Sequence, residues 1–265
     1  MKFSFFLATF SISILLLLPA CASQAQTAAE HYIDGLAFIE EGHYRQAIEE
    51  FDQVIELYPN DPAAFFKRGF SHSELGQHQL AIMDYDKAIE LDPKDAVAYS
   101  NRGTSFDELG LYQRAIQDHD KAIELDPKNA ISYSNRGFSY DVLGQNQRAM
   151  QDYNKAIDLD PNLAAAYYYR ALSYSGLSQY QQAIRDYDKA IELDPKDVSS
   201  YVLRGIAYSM LDQHERALED FNDAIRLDPQ SGIAYQTRGL ANQALGNDSA
   251  ADRDFKKAEE LGYAP

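Results

Sequence analysis

One tripeptide keeps time through this chain. Leu-Asp-Pro stands at 91–93, 125–127, 159–161, 193–195 and 227–229, each 34 residues after the last, and Leu57-Tyr58-Pro59 precedes them by one more period. Arg-Gly runs in the same phase at 68–69, 102–103, 136–137, 204–205 and 238–239, with Arg170-Ala171 as the variant. Counted from Ala28, seven repeats fill the chain to Pro265: 28–61, 62–95, 96–129, 130–163, 164–197, 198–231 and 232–265. A unit this short cannot bury an apolar face alone, so neighbouring copies must stack and share a core.

Each repeat reads as two helices. The first ends near a glycine (Gly42, Gly76, Gly110, Gly144, Gly246), the residue that a left-handed C-terminal cap accepts without strain. The second carries apolar residues at helical spacing, as in Ala81, Ile82, Tyr85, Ala88 and Ile89. It stops at the proline, which denies the preceding aspartate an α conformation. The expectation is an all-α array of seven helical hairpins.

In that frame the chain resembles the tetratricopeptide-repeat family. The family's large residue early in the first helix matches Phe65, Tyr99, Tyr133, Tyr167, Tyr201 and Tyr235. Its small residue at the helix crossing matches Gly35, Gly69, Gly103, Gly137, Ala171, Gly205 and Gly239. Its two second-helix alanines match Ala81 and Ala88, Ala115 and Ala122, and their successors at each period. The resemblance implies a right-handed superhelical solenoid whose first helices line a concave groove. Departures mark weaker spots: His119 replaces a large aromatic, Val54 an alanine, and Ser178 and Asp212 the glycine between helices. In the last repeat Asn242 takes an aromatic's place, and the charged stretch 249–260 reads as a polar C-terminal cap.

Sixteen residues after each arginine of the Arg-Gly phase comes an aspartate: Asp84, Asp118, Asp152, Asp186, Asp220 and Asp254. Six matched pairs point to an ion pair inside each hairpin, with the arginine stem lying on apolar surface. A ladder of arginines presented to a ligand is the alternative.

The N-terminus has a different grammar. Met1-Lys2 followed by the uncharged run Phe3–Leu18 is the pattern of an export signal, placed at 1–20. Leu18-Pro19-Ala20-Cys21 resembles the bacterial lipobox, which makes Cys21 the expected lipidation site and 21–27 a short tether. Pro19 departs from that pattern, and Ala20-Cys21-Ala22 also fits an ordinary signal-peptidase site, so a soluble secreted or periplasmic form stays open. Acyl chains on one cysteine hold a protein durably on a bilayer. Ala22 lacks the aspartate that resembles an inner-membrane retention signal, which favours the periplasmic face of the outer membrane. Six extended residues reach about 20 Å, so the array is expected to work close against the membrane.

A net charge of -17 without a basic cluster speaks against nucleic acid as a partner. No phosphate-binding loop, nucleophile elbow, His-Glu-x-x-His helix or dinucleotide fingerprint occurs. The six histidines fall at scattered phases, and His72 and His78 stand where sister repeats carry aromatics, which favours packing over metal. The expectation is therefore a protein without metal, cofactor or catalysis.

The resemblance also says which side chains face a partner. Tyr32, Phe66 and Phe70 come near the N-terminal end, Asn101, Thr104, Asn135 and Phe138 in the middle, and Tyr168, Tyr169 and Leu172 further on. Asparagines that grip an extended backbone between aromatics that take side chains would suit a protein segment; packing between neighbouring repeats is the plainer role for the same rings. The two-carboxylate clamp of chaperone-binding relatives is not matched: its asparagine positions hold Leu36, Phe70, Thr104, Phe138, Leu172, Ile206 and Leu240. The expected function is a scaffold or adaptor of the cell envelope for partner proteins or peptides. The alternatives are self-association into a homo-oligomeric platform, or an accessory subunit of an envelope enzyme or of secretion or pilus assembly.

Overall fold

The computed structural model describes residues 25–263, all of them in helices or the turns between. Cys21 and the export signal lie outside the described residues. The chain divides into two compact units, up to Pro127 and from Lys128 onward. The first holds α1 (25–40), α2 (Tyr44–Leu57), α3 (Pro62–Glu74), α4 (His78–Leu91), α5 (Ala96–Glu108) and α6 (Tyr112–Leu125). The second holds α7 (Ala130–Val142), α8 (Asn146–Leu159), α9 (Ala164–Gly176), α10 (Tyr180–Leu193), α11 (Val198–Ser209), α12 (His214–Leu227), α13 (Gly232–Ala244) and α14 (Asp248–Glu260). Helix α1 already includes 25–27, which the sequence reading gave to the tether.

The punctuation works as its chemistry dictates. Asp61, Asp95, Asn129 and Asp197 cap the helices that follow them, each side chain accepting one or two backbone N–H bonds of the first turn at 2.9–3.2 Å. The aspartates before proline are pushed into extended backbone, as at Asp92 with φ -129° and ψ 89°. Inter-helix turns place Gly144 at φ +72° in the left-handed region, and at the two departures Ser178 (φ 60°) and Asp212 (φ 57°) adopt it with a side chain attached.

Within a hairpin the helices meet through a small residue and a ring. A Cβ on Gly137 would fall 2.7 Å from Tyr153 Cε1, so the glycine is what lets that ring lie against the first helix. Tyr85, Tyr153, Tyr187, Phe51 and Phe221 are fully buried in this way; each such ring contributes about 1.5–3 kcal/mol through removal from water. In the second unit, one core cluster runs through Ile184, Tyr208, Phe221 and Ala241, residues of three successive hairpins. Stacking carries this core across hairpin boundaries, as short repeats require.

The six ion pairs form. Arg68, Arg102, Arg136, Arg170, Arg204 and Arg238 each close on the aspartate sixteen residues ahead through Nε and Nη2, at 2.6–3.0 Å. Arg68, Arg102, Arg170, Arg204 and Arg238 also donate from Nη1 to a residue sixteen behind, on the second helix of the preceding hairpin: Asp52, Asp86, Asn154, Asp188 and Asn222, at 2.5–2.7 Å. Each guanidinium lies 5.4–5.7 Å from the ring three residues earlier on its own helix. With donors committed to both sides, these arginines stitch hairpins together instead of standing ready for a ligand.

Candidate functional site

In both units the first helices of successive hairpins touch one another: α3 meets α5, and α7, α9, α11 and α13 follow in series. Within each unit, no second helix among the described residues touches the next second helix. First helices therefore form the tighter, inner wall of each unit, the side on which a bound segment meets several repeats at once.

On the first unit's wall stand Tyr32 on α1, Phe66 and Phe70 on α3, and Asn101 and Thr104 on α5. Their rings are half-buried, not free. Tyr32 sets its edge against Phe51 with centroids 5.5 Å apart, Phe66 tilts onto Tyr85 at 5.7 Å, and Phe70 meets Tyr44 at 6.3 Å. Thr104 Oγ1 turns back to its own helix, donating to the Ser100 carbonyl at 3.2 Å. Burial raises the Tyr85 phenol well above its ordinary range, the Glu74 charge adds to this, and a hydrogen bond with Asn101 opposes it. Asn101 thus meets a buried hydroxyl of the neighbouring hairpin, a contact that the residue types alone did not announce.

The second unit's wall carries Asn135 and Phe138 on α7 and Tyr168, Tyr169 and Leu172 on α9. Tyr169 lies between hairpins, tilted on Phe138 at 5.3 Å and stacked over Tyr153 at 6.2 Å. Tyr168 touches Tyr169 and, at 6.3 Å, Tyr187 of its own hairpin. Leu172 is exposed. Packing and presentation coexist here: one face of each ring anchors a helix and the other edges the wall.

Polar contacts that residue types alone do not pair lie behind the two walls. The His119 imidazole is fully buried, with Nε2 3.1 Å from Asp107 Oδ2. Ser173 Oγ donates to Asp141, whose carboxyl burial raises above the usual carboxylate range against the opposing pull of that hydrogen bond. Both aspartates occupy one repeat phase, near the end of a first helix. Among the described residues no group of three or more metal-ligating side chains converges, and no helix is long and apolar enough to cross a membrane.

The tetratricopeptide-repeat model matches residues 62–95, 96–129, 130–163 and 164–197, and related repeat models match 35–76 and 186–219. The chain belongs to the tetratricopeptide-repeat family. Tetratricopeptide repeats are modules of protein interaction, and solved structures similar to this chain include proteins described as such. The crystal structure of MamA is 29% identical, covering 60% of this chain and 94% of its own at a TM-score of 0.56. A tetratricopeptide repeat protein from Parabacteroides merdae ATCC 43184 is 25% identical over 90% of this chain and 94% of its own, with a TM-score of 0.68. YrrB, described as a TPR protein with an unusual peptide-binding site, shares the fold at 24% identity and a TM-score of 0.51, over 71% of this chain and 97% of its own. No curated protein matches the chain.

Proposed function

We propose that this tetratricopeptide-repeat protein is a non-catalytic adaptor of the bacterial cell envelope, held by a lipid on Cys21 to the periplasmic face of the outer membrane. It takes an extended segment of a partner protein along the first-helix walls. The observation that carries the reading is the row of half-buried rings on those walls, Tyr32, Phe66 and Phe70 in one unit and Phe138, Tyr168 and Tyr169 in the other. Such rings offer apolar area with little rotamer entropy left to lose, the property that makes tyrosine and its kin recurrent anchors at interfaces. The envelope placement is supported by the apolar run Phe3–Leu18 and the lipobox-like residues up to Cys21.

Two measurements test it. Proteins that co-purify with the native chain from solubilised envelope are compared with those held by a Phe70→Ala, Tyr168→Ala, Tyr169→Ala variant of unchanged helical content. Loss of a defined set supports the wall as the binding surface, and an unchanged set refutes it. Membrane fractionation with mass analysis of the N-terminal peptide, for native chain and Cys21→Ser, tests the anchor: an acylated Cys21 and release of the variant are expected.

A further inference from the structure

We propose that two repeat-equivalent clefts, one in each unit, are sockets for lysine or arginine side chains of the partner segment. The inference rests on the reading of the first-helix walls as the partner surface, and it names what those walls select.

The first cleft, of roughly 460 Å³, opens where α1, the end of α2 and the start of α3 meet. The second, of roughly 260 Å³, opens where α9, the end of α10 and the start of α11 meet. Four repeats separate them, and the register is kept: Tyr32 falls on Tyr168, Tyr58 on Asp194, Asp61 on Asp197 and Ala63 on Ser199. One site has been built twice. The small Ala63 and Ser199, in the second and sixth repeats, leave room at the mouth, where the third and seventh repeats carry Val97 and Ile233.

The lining suits a cation on an apolar stem. Alanines floor both clefts, tyrosines wall them, carboxylates edge them, and no lysine or arginine lines either one. Methylenes of a long basic side chain pack on such a floor while the head group meets ring faces and acids. The field is negative at both: beyond burial, the first cause, the Asp61 charge raises the Tyr32 phenol and the Asp197 charge raises that of Tyr168. Asp61 and Asp197 are already engaged as helix caps. Asp194 stands at the carbonyl end of α10, where the helix dipole adds to its charge.

The chain furnishes its own precedent. In the second repeat, the phase of Tyr32 and Tyr168 is Phe66, and the next residue is Lys67, whose ammonium rests 5.6 Å from the Phe66 ring centroid. In the first and fifth repeats that next residue is Ile33 or Tyr169, which bring no charge. There the cation has to come from outside, and a chain of net charge -17 draws one.

The test uses the full chain and a panel of blocked peptides, each made in a lysine form and a norleucine form that keeps the stem and removes the charge. Lysine forms are expected to bind about tenfold tighter, with the advantage shrinking in salt and falling to about threefold in Asp194→Asn and in Tyr32→Leu of native helical content. Phe70→Ala, on the wall but outside both clefts, should weaken both forms alike. Equal or tighter binding of the norleucine forms overturns the sockets while leaving the wall as a binding surface. If neither form binds and Phe70→Ala changes no co-purifying partner, the wall reading and the sockets fall together.

Discussion

Arg102 holds Asp118 with two parallel bonds, Nε to Oδ2 and Nη2 to Oδ1, both at 2.7 Å. The aspartate is buried and the guanidinium nearly so, which makes the two ways of breaking the pair unequal. Asp118→Ala strands a largely desolvated cation with Asp86 alone on its other side, and a loss of about 3 kcal/mol is expected. Replacing both residues by leucine removes the charge problem with the bonds and should cost under about 1 kcal/mol. Urea denaturation followed by helical content separates the two; equal losses would mean that the pair is worth its bonds and not its burial.

Among the described residues His119 is the one fully buried second-helix ring that is an imidazole, and it faces Asp107. The fifth repeat places Tyr187 and Ser175 at the same phases. His119→Phe keeps the ring volume but removes the group that meets the buried carboxylate, for an expected cost of about 1–3 kcal/mol. Transplanting the fifth-repeat pair, as His119→Tyr with Asp107→Ser, should recover most of that loss. Failure of the double variant to outlast His119→Phe in urea would show that the two positions are not coupled.

At the inter-helix turns, Ser178 and Asp212 hold φ of 60° and 57° where other repeats place glycine. A Cβ in that region carries a steric cost, so Ser178→Gly and Asp212→Gly are each expected to stabilise by about 0.5–1 kcal/mol. Gly144→Ala, at φ +72°, should destabilise by a similar amount. Thermal midpoints that move the other way would place the strain elsewhere.

Much of this fold was legible because its punctuation is chemical. Glycine at the turn, aspartate before proline and alanine at the crossing each have one local consequence, and their common phase leaves little freedom. The forward ion pairs were legible for the same reason, an arginine and an aspartate at constant spacing. The backward arms of Arg68, Arg102, Arg170, Arg204 and Arg238 were not, because the acceptor alternates between Asp52, Asp86 or Asp188 and Asn154 or Asn222. His119 was visible as a departure, but only packing brings it into contact with Asp107. The expectation that the first helices face a partner came from the family resemblance. The clefts depend on whether Ala63 or Val97 stands at the mouth, a difference of two methyl groups that no periodicity signals.

Tyr85, Tyr153 and Tyr187 give the chain a predictable response to alkali. Burial, aided by Glu74 at Tyr85 and by Asp141 at Tyr153, raises all three phenols well above the ordinary value near 10. A group whose folded value lies above its unfolded one contributes stability that is fully present below the unfolded value and is lost as pH rises beyond it. Helical content should therefore hold up to about pH 10 and fall above it. The last tyrosinate absorbance should appear together with that loss and not before. Tyr153→Phe removes one ionisable group from the balance and should move the alkaline transition upward. If all the tyrosines ionise in one step near pH 10 while the helices persist, these three rings are wetter than their packing requires.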